Sequence, residues 1–335
     1  MTTLSWLHLT DLHYGNLKNQ KLWLETKQRF YDDLPKLSEQ CAPWDLVLFT
    51  GDLVADLNPK DKTSDGNSDI WERMNNELDE ILQKVTELSG GEKPLFLAVP
   101  GNHDLERLDE HKPAVEELCW ILEKIWKRSD RKEDPPKVWD EVNDWLEKNQ
   151  SIVEQAFQKY SQWWEPHAEQ LRNSKKSIAY CKGWLPGEFS VTIEKEGYQL
   201  GILGMNTSFV HVVSGIEEGE VLLHAKQITR PCGGNNYKEW ASEHHACLLM
   251  THHPPGWLDG KSQDERRITL VEEQPFFWHL CGHLHENAYR AYQSESEEVR
   301  KESKLFQACS LFGVREKSGE IKRRHGYAAG RIDIS

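Results

Sequence analysis

Short apolar runs alternate with longer amphipathic segments over the first hundred residues of the chain. Residues 4–9, 46–49 and 95–99 are almost entirely apolar over the length of a strand, which predicts three buried strands. Residues 70–88 repeat apolar side chains every three or four positions and end just before two glycines, which predicts a helix. Strands that alternate with helices indicate a layered α/β core with parallel strand pairing.

The pattern changes between residues 105 and 176, where three successive groups of apolar side chains follow helical spacing. Pro135 and Pro136 separate the first group from the second. Half of the 14 tryptophans lie in or just after this stretch, and we expect them to pack helix on helix rather than to stack on bases. We therefore predict an inserted helical cap at residues 105–176 within a core formed by residues 1–104 and 177–335.

Six further apolar stretches follow the cap and have the length of strands, which predicts a second sheet. They are residues 189–193, 198–205, 246–251, 276–280, 305–310 and 326–334. Residues 293–304 are strongly charged and lack an apolar period, so we expect a solvated loop or the tip of a hairpin. The predicted fold class is a layered α/β (α+β) architecture with an inserted helical cap.

Composition and charge exclude several classes of protein. Hydrophobic residues make up 38% of the chain and aromatic residues 10%, which indicates a globular protein. The net charge of −14 repels polyanions, so contact with a nucleic acid needs a local basic patch or a metal. No apolar run approaches the roughly 18 residues that span a bilayer, and no secretory signal is readable. The 7 cysteines are scattered without a Cys-x-x-Cys pair, which is typical of reduced thiols in a cytoplasmic protein.

Histidine, aspartate and asparagine residues cluster immediately after the predicted strands. They are Asp11 and His13, Asp52, Asn102 with His103 and Asp104, His252 with His253, and His283 with His285. In open α/β sheets, ligands bind at the carboxyl ends of the strands, so these side chains are expected to meet at one edge. Residues two apart in an extended backbone project to the same side, so each of the two i, i+2 pairs can bind one metal ion.

Each of these signals is weak when taken singly. A lone Asp-x-His or Gly-Asp is more often a turn with a capping carboxylate, and a lone histidine is more often a hydrogen-bonded core residue. Five such motifs at five strand ends are hard to attribute to turn chemistry. Carboxylate, amide and imidazole groups together favour a metal site.

The ordered series of motifs resembles the calcineurin-like metallophosphoesterase family, and the resemblance spans residues 11–285. It implies two mixed β-sheets flanked by helices, with two metal ions at one edge. It further implies the ligands of each ion. These are Asp11, His13 and His285 for the first metal, Asn102, His252 and His283 for the second, and Asp52 as a bridge between them.

The resemblance also assigns chemistry to the residues beside the ligands. It makes His103 the group that stabilises or protonates the leaving oxygen, and Asp104 could orient its ring. His252 and His253 are adjacent and would point to opposite faces of an extended chain, so we favour His252 as the ligand and leave His253 as the alternative. We expect manganese, although iron, zinc, nickel and cobalt also suit oxygen and nitrogen ligands.

The function implied is hydrolysis of a phosphodiester, in a nucleotide or a nucleic acid, by metal-bound hydroxide. Two basic clusters support this substrate class, one at residues 315–325 and one at residues 124–132, although each could simply be a solvated surface. The alternatives are a phosphomonoesterase or protein phosphatase, and a metal-binding effector or scaffold module of a larger protein. No membrane partner is expected, and the oligomeric state is left open.

Overall fold

Two mixed β-sheets flanked by helices form the fold of the computed structural model. The described residues are 2–15, 20–55, 70–126, 135–234, 237–266, 270, 276–293, 302–312, 315–317, 320–322 and 325–334. This architecture confirms the predicted fold class. None of the described helices is both long enough and apolar enough to cross a bilayer.

The first sheet contains the three strands predicted at the start of the chain. Its strands are β1 (Thr2–Leu9), β2 (Leu46–Phe49), β3 (Leu95–Ala98) and β13 (Ala328–Ile334). Their order is β13-β1-β2-β3, with β1, β2 and β3 parallel and β13 antiparallel to β1. Helices α1 (Gln20–Cys41) and α2 (Ile70–Leu88) lie between these strands in the sequence, and the apolar face predicted for α2 is buried. Parallel pairing brings the carboxyl ends of three strands to one edge.

The second sheet has seven strands in the order β4-β5-β6-β7-β8-β10-β9. They are β4 (Ser177–Lys182), β5 (Phe189–Lys195), β6 (Tyr198–Gly204), β7 (Ala246–Met250), β8 (Phe276–Cys281), β9 (Ala288–Gln293) and β10 (Glu302–Gln307). The central strands β6, β7, β8 and β10 are parallel, whereas the pairs at both edges are antiparallel.

The sequence pattern missed the two edge strands of the second sheet. Most of β4 is exposed or half-buried, and so is the part of β9 whose burial is described, so neither strand needs an apolar run. Gln293 at the end of β9 pairs with Glu302 at the start of β10. The charged segment at residues 293–304 therefore connects a hairpin, as predicted, although residues 294–301 lie outside the described residues.

The helical stretch between β3 and β4 contains three helices. They are α3 (Pro113–Trp126), α4 (Pro135–Ala156) and α5 (Gln158–Asn173). The division differs from the predicted one, because α4 continues past a kink at Asn149 and ends inside the third apolar group. Helix α5 packs on the first sheet, where the Tyr160 hydroxyl donates to the Ala98 carbonyl over 3.0 Å. The bounds of the cap remain a prediction.

Short elements complete the described chain. They are α6 (Ala225–Thr229), α7 (Tyr237–Ser242), α8 (Gly260–Arg266), two 3₁₀ turns (Phe209–Val212 and Pro255–Trp257) and the hairpin of β11 (Arg315–Lys317) with β12 (Glu320–Lys322).

One apolar core joins the two sheets. Buried side chains of both sheets, such as Leu48 of β2 and Leu248 of β7, belong to the same cluster. The rings of Trp6 in β1 and Phe306 in β10 meet with their centroids 5.8 Å apart. This core holds the loops at the carboxyl ends of the parallel strands in fixed positions.

Candidate metal centre

Loops that follow five parallel strands meet at one edge of the two sheets. The Asp11 N–H donates to the Gly51 carbonyl over 2.9 Å, which joins the loops after β1 and β2. The Gly282 N–H donates to the His252 carbonyl over 3.0 Å, which joins the loops after β8 and β7. The ring of His252 crosses from one sheet to the other, because its Nδ1 lies 2.7 Å from the Thr50 carbonyl. The structure therefore brings the predicted ligands together.

Asp11, His13 and His285 form the first cluster of donor atoms. The Nε2 atoms of the two histidines lie 3.0 Å apart. Asp11 Oδ1 lies 3.2 Å from Nε2 of His285 and 3.6 Å from Nε2 of His13. Ligand atoms about 2.1 Å from a shared ion are separated by about 3.0 to 3.4 Å in octahedral or tetrahedral geometry, which is close to these spacings.

Asn102, His252 and His283 form the second cluster. Asn102 Oδ1 lies 3.0 Å from Nε2 of His252 and 3.0 Å from Nδ1 of His283. The two ring nitrogens are themselves 3.2 Å apart. Nδ1 of His252 faces the Thr50 carbonyl and carries a proton, so Nε2 is the ring atom that faces the cluster, as expected for a metal ligand.

Asp52 lies between the two clusters. Its Oδ2 is 3.3 Å from Nε2 of His252 in the second cluster and 3.7 Å from Nε2 of His13 in the first. Its Oδ1 accepts the backbone N–H of His103 over 2.8 Å, which fixes the orientation of the carboxylate. One oxygen thus faces both clusters, which is the geometry expected of a bridging ligand.

Five of these side chains come from left-handed backbone positions. The φ angles are 54° at Asp11, 45° at His13, 59° at Asp52, 72° at His283 and 52° at His285. Among the described residues, Glu196 is the one other non-glycine residue with positive φ. The i, i+2 pairs therefore converge through two left-handed residues each, and the expectation that they project from extended backbone is wrong. Such conformations concentrate at functional sites.

Three glycines allow the loops to approach one another closely. A Cβ at Gly101 would lie 2.1 Å from Oδ1 of Asp52, and one at Gly282 would lie 2.6 Å from Oδ2 of Asp11. A Cβ at Gly51, whose φ is +92°, would lie 2.7 Å from Nδ1 of His252. The glycines before Asp52, Asn102 and His283 are therefore required by the close packing of the loops that carry the ligands.

The buried carboxylates and imidazoles shift one another's pKa values. Burial opposes ionisation, yet the imidazoles of His13 and His285 hold the pKa of Asp11 well below its usual range. Burial also opposes ionisation of Asp52, but the facing rings of His252 and His103 lower its pKa. Burial disfavours a charged His252, but the charge of Asp52 raises the pKa of this ring to about 9.

The donor set fits a pair of divalent cations. Asp11 Oδ1 is fully buried and accepts no hydrogen bond among the described residues. Pairs of ring nitrogens face one another at 3.0 and 3.2 Å, an arrangement that needs a proton or a cation between them. A cation in each cluster would replace such a proton, as metal binding does wherever ligands must be deprotonated.

His253 lies next to two members of the second cluster. One nitrogen from each of His252, His253 and His283 lies within 4.8 Å of the others. The Nδ1 atom of His253 lies 3.0 Å from the Thr207 hydroxyl. His211 stacks on the His253 ring, with centroids 4.8 Å apart and planes at 13°. The preference for His252 over His253 as the ligand stays a prediction.

Sequence reasoning missed two aromatic residues beside this cluster. The edge of Trp257 lies against His283, with centroids 4.0 Å apart. His211, which was expected to be only structural, lies in the 3₁₀ turn after β6 and contacts His253. Trp257 follows the His-His-Pro-Pro motif by two residues, which is the one signal that could have found it.

His103 and Asp104 occupy different environments. The ring of His103 is partly exposed at the edge, and its Nε2 lies 3.8 Å from Oδ2 of Asp52. Asp104 is buried, and the four hydrogen bonds to its carboxylate all come from backbone N–H groups. This differs from the expectation that Asp104 orients the ring of His103. Burial and the nearby charge of Asp52 raise the pKa of Asp104 above its usual range, whereas the backbone N–H groups that donate to it favour the ionised carboxylate.

Two buried histidine–threonine pairs support the loops from below. Nε2 of His8 lies 2.8 Å from the Thr50 hydroxyl in the first sheet. Nε2 of His279 lies 2.7 Å from the Thr251 hydroxyl in the second sheet, and that hydroxyl donates to the His253 carbonyl over 2.8 Å. These contacts agree with the structural role expected for both histidines.

Residues 4–287 match the family model of the calcineurin-like phosphoesterases. Similar solved structures include GAP50, the anchor in the inner membrane complex of Plasmodium (11% identity, 99% of this chain and 81% of that chain, TM-score 0.43). A second is 5'-nucleotidase from Candida albicans (14% identity, 99% of this chain and 52% of that chain, TM-score 0.37). A third is purple acid phosphatase PPD1 from yellow lupin (8% identity, 99% of this chain and 49% of that chain, TM-score 0.44). The chain spans about half the length of these last two. No curated protein matches it.

Replacing Gly101 by Ala tests the close approach of the loops. The added methyl group must displace Asp52, so we expect both cation positions to lose occupancy. Elemental analysis after loading with excess manganese and desalting measures this. Gly260→Ala is the control, because a Cβ there meets nothing within 4 Å. Retention of two ions per chain by Gly101→Ala would contradict the prediction.

Proposed function

The chain belongs to the calcineurin-like phosphoesterase family, and from this premise we propose that it hydrolyses phosphodiester bonds of a nucleotide or a nucleic acid. Family membership supports a hydrolase of phosphate esters, and the family uses a dinuclear metal centre. The position of Asp52 is the observation that carries the two-metal chemistry of this proposal, because one carboxylate oxygen faces both donor clusters.

The proposed ligands are those brought together at the edge of the sheets. Asp11, His13 and His285 would hold one cation, Asn102, His252 and His283 the other, and Asp52 both. Two bound divalent cations polarise phosphoryl oxygens and lower the pKa of water. The donor set contains no thiolate. Its carboxylate and amide oxygens suit manganese, which we propose, and its four imidazoles also suit the alternatives iron, zinc, nickel and cobalt.

His103 is the proposed group for the leaving oxygen. Its side chain is 28% exposed, whereas those of His13 and His285 are 11% and 18% exposed. Its backbone N–H donates to Asp52 Oδ1, so the ring is held beside the proposed bridging ligand. A partly exposed imidazole in this position can donate a proton or a hydrogen bond to an ester oxygen.

A basic segment beside the first cluster supports a polyanionic substrate. The Phe312 N–H donates to the Asp11 carbonyl over 3.0 Å, and the Gly326 N–H donates to the Ser310 carbonyl over 3.0 Å. Both ends of the segment at residues 313–325 are therefore anchored next to a proposed ligand. Its basic residues are Arg315, Lys317, Lys322, Arg323, Arg324 and, when protonated, His325.

The other basic cluster offers less support. Lys124 already contacts Glu141 at 2.8 Å and lies 3.2 Å from the centre of the Trp120 ring. The rest of this cluster lies outside the described residues.

We also place the enzyme in the cytoplasm, because all seven cysteines are free thiols.

Asp52→Asn tests the dinuclear centre itself. We expect the variant to bind both cations more weakly, because the neutral amide cannot replace a shared carboxylate. Metal content by elemental analysis is the measurement, and Asp45→Asn, at the opposite end of β2 and paired with Lys195, is the control. Full two-metal occupancy in Asp52→Asn, or no metal in the wild type under metal-replete conditions, would refute the bridging role.

His103→Ala separates chemistry from metal binding. We expect metal content close to that of the wild type and a turnover of diesters lower by about 10²- to 10⁴-fold, the usual contribution of a general acid. The defect should shrink on bis-p-nitrophenyl phosphate, whose leaving group needs little protonation. His111→Ala, at a side chain that is 91% exposed, is the control. Loss of a metal ion from His103→Ala would instead make His103 a ligand.

Replacing Lys322, Arg323 and Arg324 by Ala tests the substrate class. We expect a higher KM for oligonucleotides and a smaller slope of log KM against log salt, by up to about 2 to 3, because fewer counterions are released. Hydrolysis of a small diester should hardly change. The control removes three exposed lysines elsewhere, Lys93, Lys148 and Lys175.

Unchanged oligonucleotide kinetics across salt concentrations would remove the basic segment from the argument and favour a small nucleotide as substrate. Faster hydrolysis of p-nitrophenyl phosphate than of any diester would favour a phosphomonoesterase or protein phosphatase. Two bound metals without turnover of any ester would favour an effector or scaffold module.

A further inference from the structure

The carboxylate of Asp104 joins the loops after β2 and β3. Its Oδ2 accepts the N–H groups of Asp52 and Gly101, each over 2.8 Å. Its Oδ1 accepts the N–H groups of Leu53 over 2.8 Å and Val54 over 3.2 Å. The residue is 1% exposed, so these bonds are formed in a site that water does not reach. All four donors are backbone groups, and three of them belong to Asp52 and the two residues after it.

This contact acts on a strained part of the backbone. Asp52 has a φ of 59° and follows Gly51, whose φ is 92°. A left-handed aspartate persists only when its surroundings over-determine its conformation. Three N–H groups in succession, all held by one carboxylate, provide such a constraint. The direction of the Asp52 side chain therefore depends on Asp104.

The same carboxylate closes the loop that carries Asn102 and His103. The Gly101 N–H donates to Asp104 Oδ2 over 2.8 Å, and the Asp104 N–H returns to the Gly101 carbonyl over 3.3 Å. Asn102 and His103, which lie between these two residues, are thus held in a closed loop. The His103 N–H then donates to Asp52 Oδ1, which locks the two loops to each other.

We propose that Asp104 is a positioning residue that sets the Asp52 carboxylate, together with Asn102 and His103, in its cation-binding arrangement before any cation binds. The inference rests on the proposed function to the extent that Asp52 is a shared ligand. It assigns Asp104 no contact with the substrate. Its effect on the reaction is transmitted through the backbone of the two loops.

The chemistry of the side chain explains why a carboxylate is needed. An ionised carboxylate only accepts hydrogen bonds and can accept about four, which is the number of N–H donors present. An asparagine offers one accepting oxygen and an NH₂ group that itself donates. In Asp104→Asn, the NH₂ group of the asparagine would therefore face backbone N–H groups that have lost their acceptor.

Glu188 provides a matched control. It is also 1% exposed, and its carboxylate accepts the N–H groups of Trp184, Leu185 and Asn206 together with the side-chain amide of Gln227. These partners lie in α6 and in loops other than those of the proposed ligands. Glu188→Gln thus disturbs an equally buried and equally bonded carboxylate while leaving Asp52 in place.

The first experiment measures metal affinity by competition with a chelator, without substrate. We expect Asp104→Asn to bind manganese about 10- to 100-fold more weakly, the range found when groups that hold a metal ligand are changed. We expect Glu188→Gln to stay within about twofold of the wild type, and both variants to have lowered melting temperatures. Wild-type manganese affinity in Asp104→Asn would overturn the proposal.

The second experiment measures amide hydrogen exchange in the metal-free protein. The N–H groups of Asp52, Leu53, Val54 and Gly101 should be protected in the wild type and in Glu188→Gln, and lose protection in Asp104→Asn. Weaker metal binding with these four amides still protected would overturn the proposal, since Asp104 would then act through its charge alone.

The two experiments also separate this inference from the proposed function. If the wild type binds no metal but its four amides are protected and Asp104→Asn releases them, the positioning role stands and the dinuclear centre does not. If Asp104→Asn fails to fold, exchange in the wild type decides. Protection of all four amides without metal supports the proposal, and exchange at the rate of an exposed loop overturns it.

Discussion

The left-handed backbone at five proposed ligands is the constraint on which the rest of the structure depends. Each such residue costs about 1–2 kcal/mol, so five of them cost about 5–10 kcal/mol, which rivals the total stability of a typical domain. Hydrogen bonds between neighbouring loops at the strand ends offset this cost. The Asp11 N–H reaches Gly51, the His13 N–H reaches Asp52, and the Gly282 N–H reaches His252.

The same edge of the sheets also buries two carboxylates. Asp11 and Asp52 are both almost fully buried, and a buried carboxylate is costly unless it is paired. Their partners are imidazoles, which can give up a proton to make room for a cation more readily than lysine or arginine can. The buried carboxylates are therefore paired in the absence of a cation, and loss of the imidazole protons frees the lone pairs that a divalent cation needs. A lysine in the position of His252 would pair with Asp52 but would leave no ligand.

The sequence predicted which residues meet at the candidate site because buried strands and the polar residues that follow them both leave local sequence patterns. The runs at β1, β2 and β7 are apolar since those strands are buried on both faces, and the ligands follow each run at once. The left-handed conformation of Asp11 or His283 has no comparable signal, because positive φ at these residues depends on glycines and carbonyls of other loops. His211 and the edge strands β4 and β9 were missed for the same reason, since their roles are set by distant neighbours or by exposure.

The arrangement of charge around the site limits which part of the molecule can meet a polyanion. The chain carries a net charge of −14, but charges farther away than about 8 Å are largely screened at physiological ionic strength. The local surroundings of the centre therefore decide, and they differ on its two sides. Beside the first cluster, the basic segment follows Phe312, whose N–H donates to the Asp11 carbonyl. Beside the second cluster, the neighbours are the aromatic rings of His211 and Trp257, and the charge of Arg107 is near enough to help lower the pKa of His211. A polyanionic substrate of the kind proposed would therefore meet a run of basic residues on one side of the centre, and two aromatic rings with one arginine on the other.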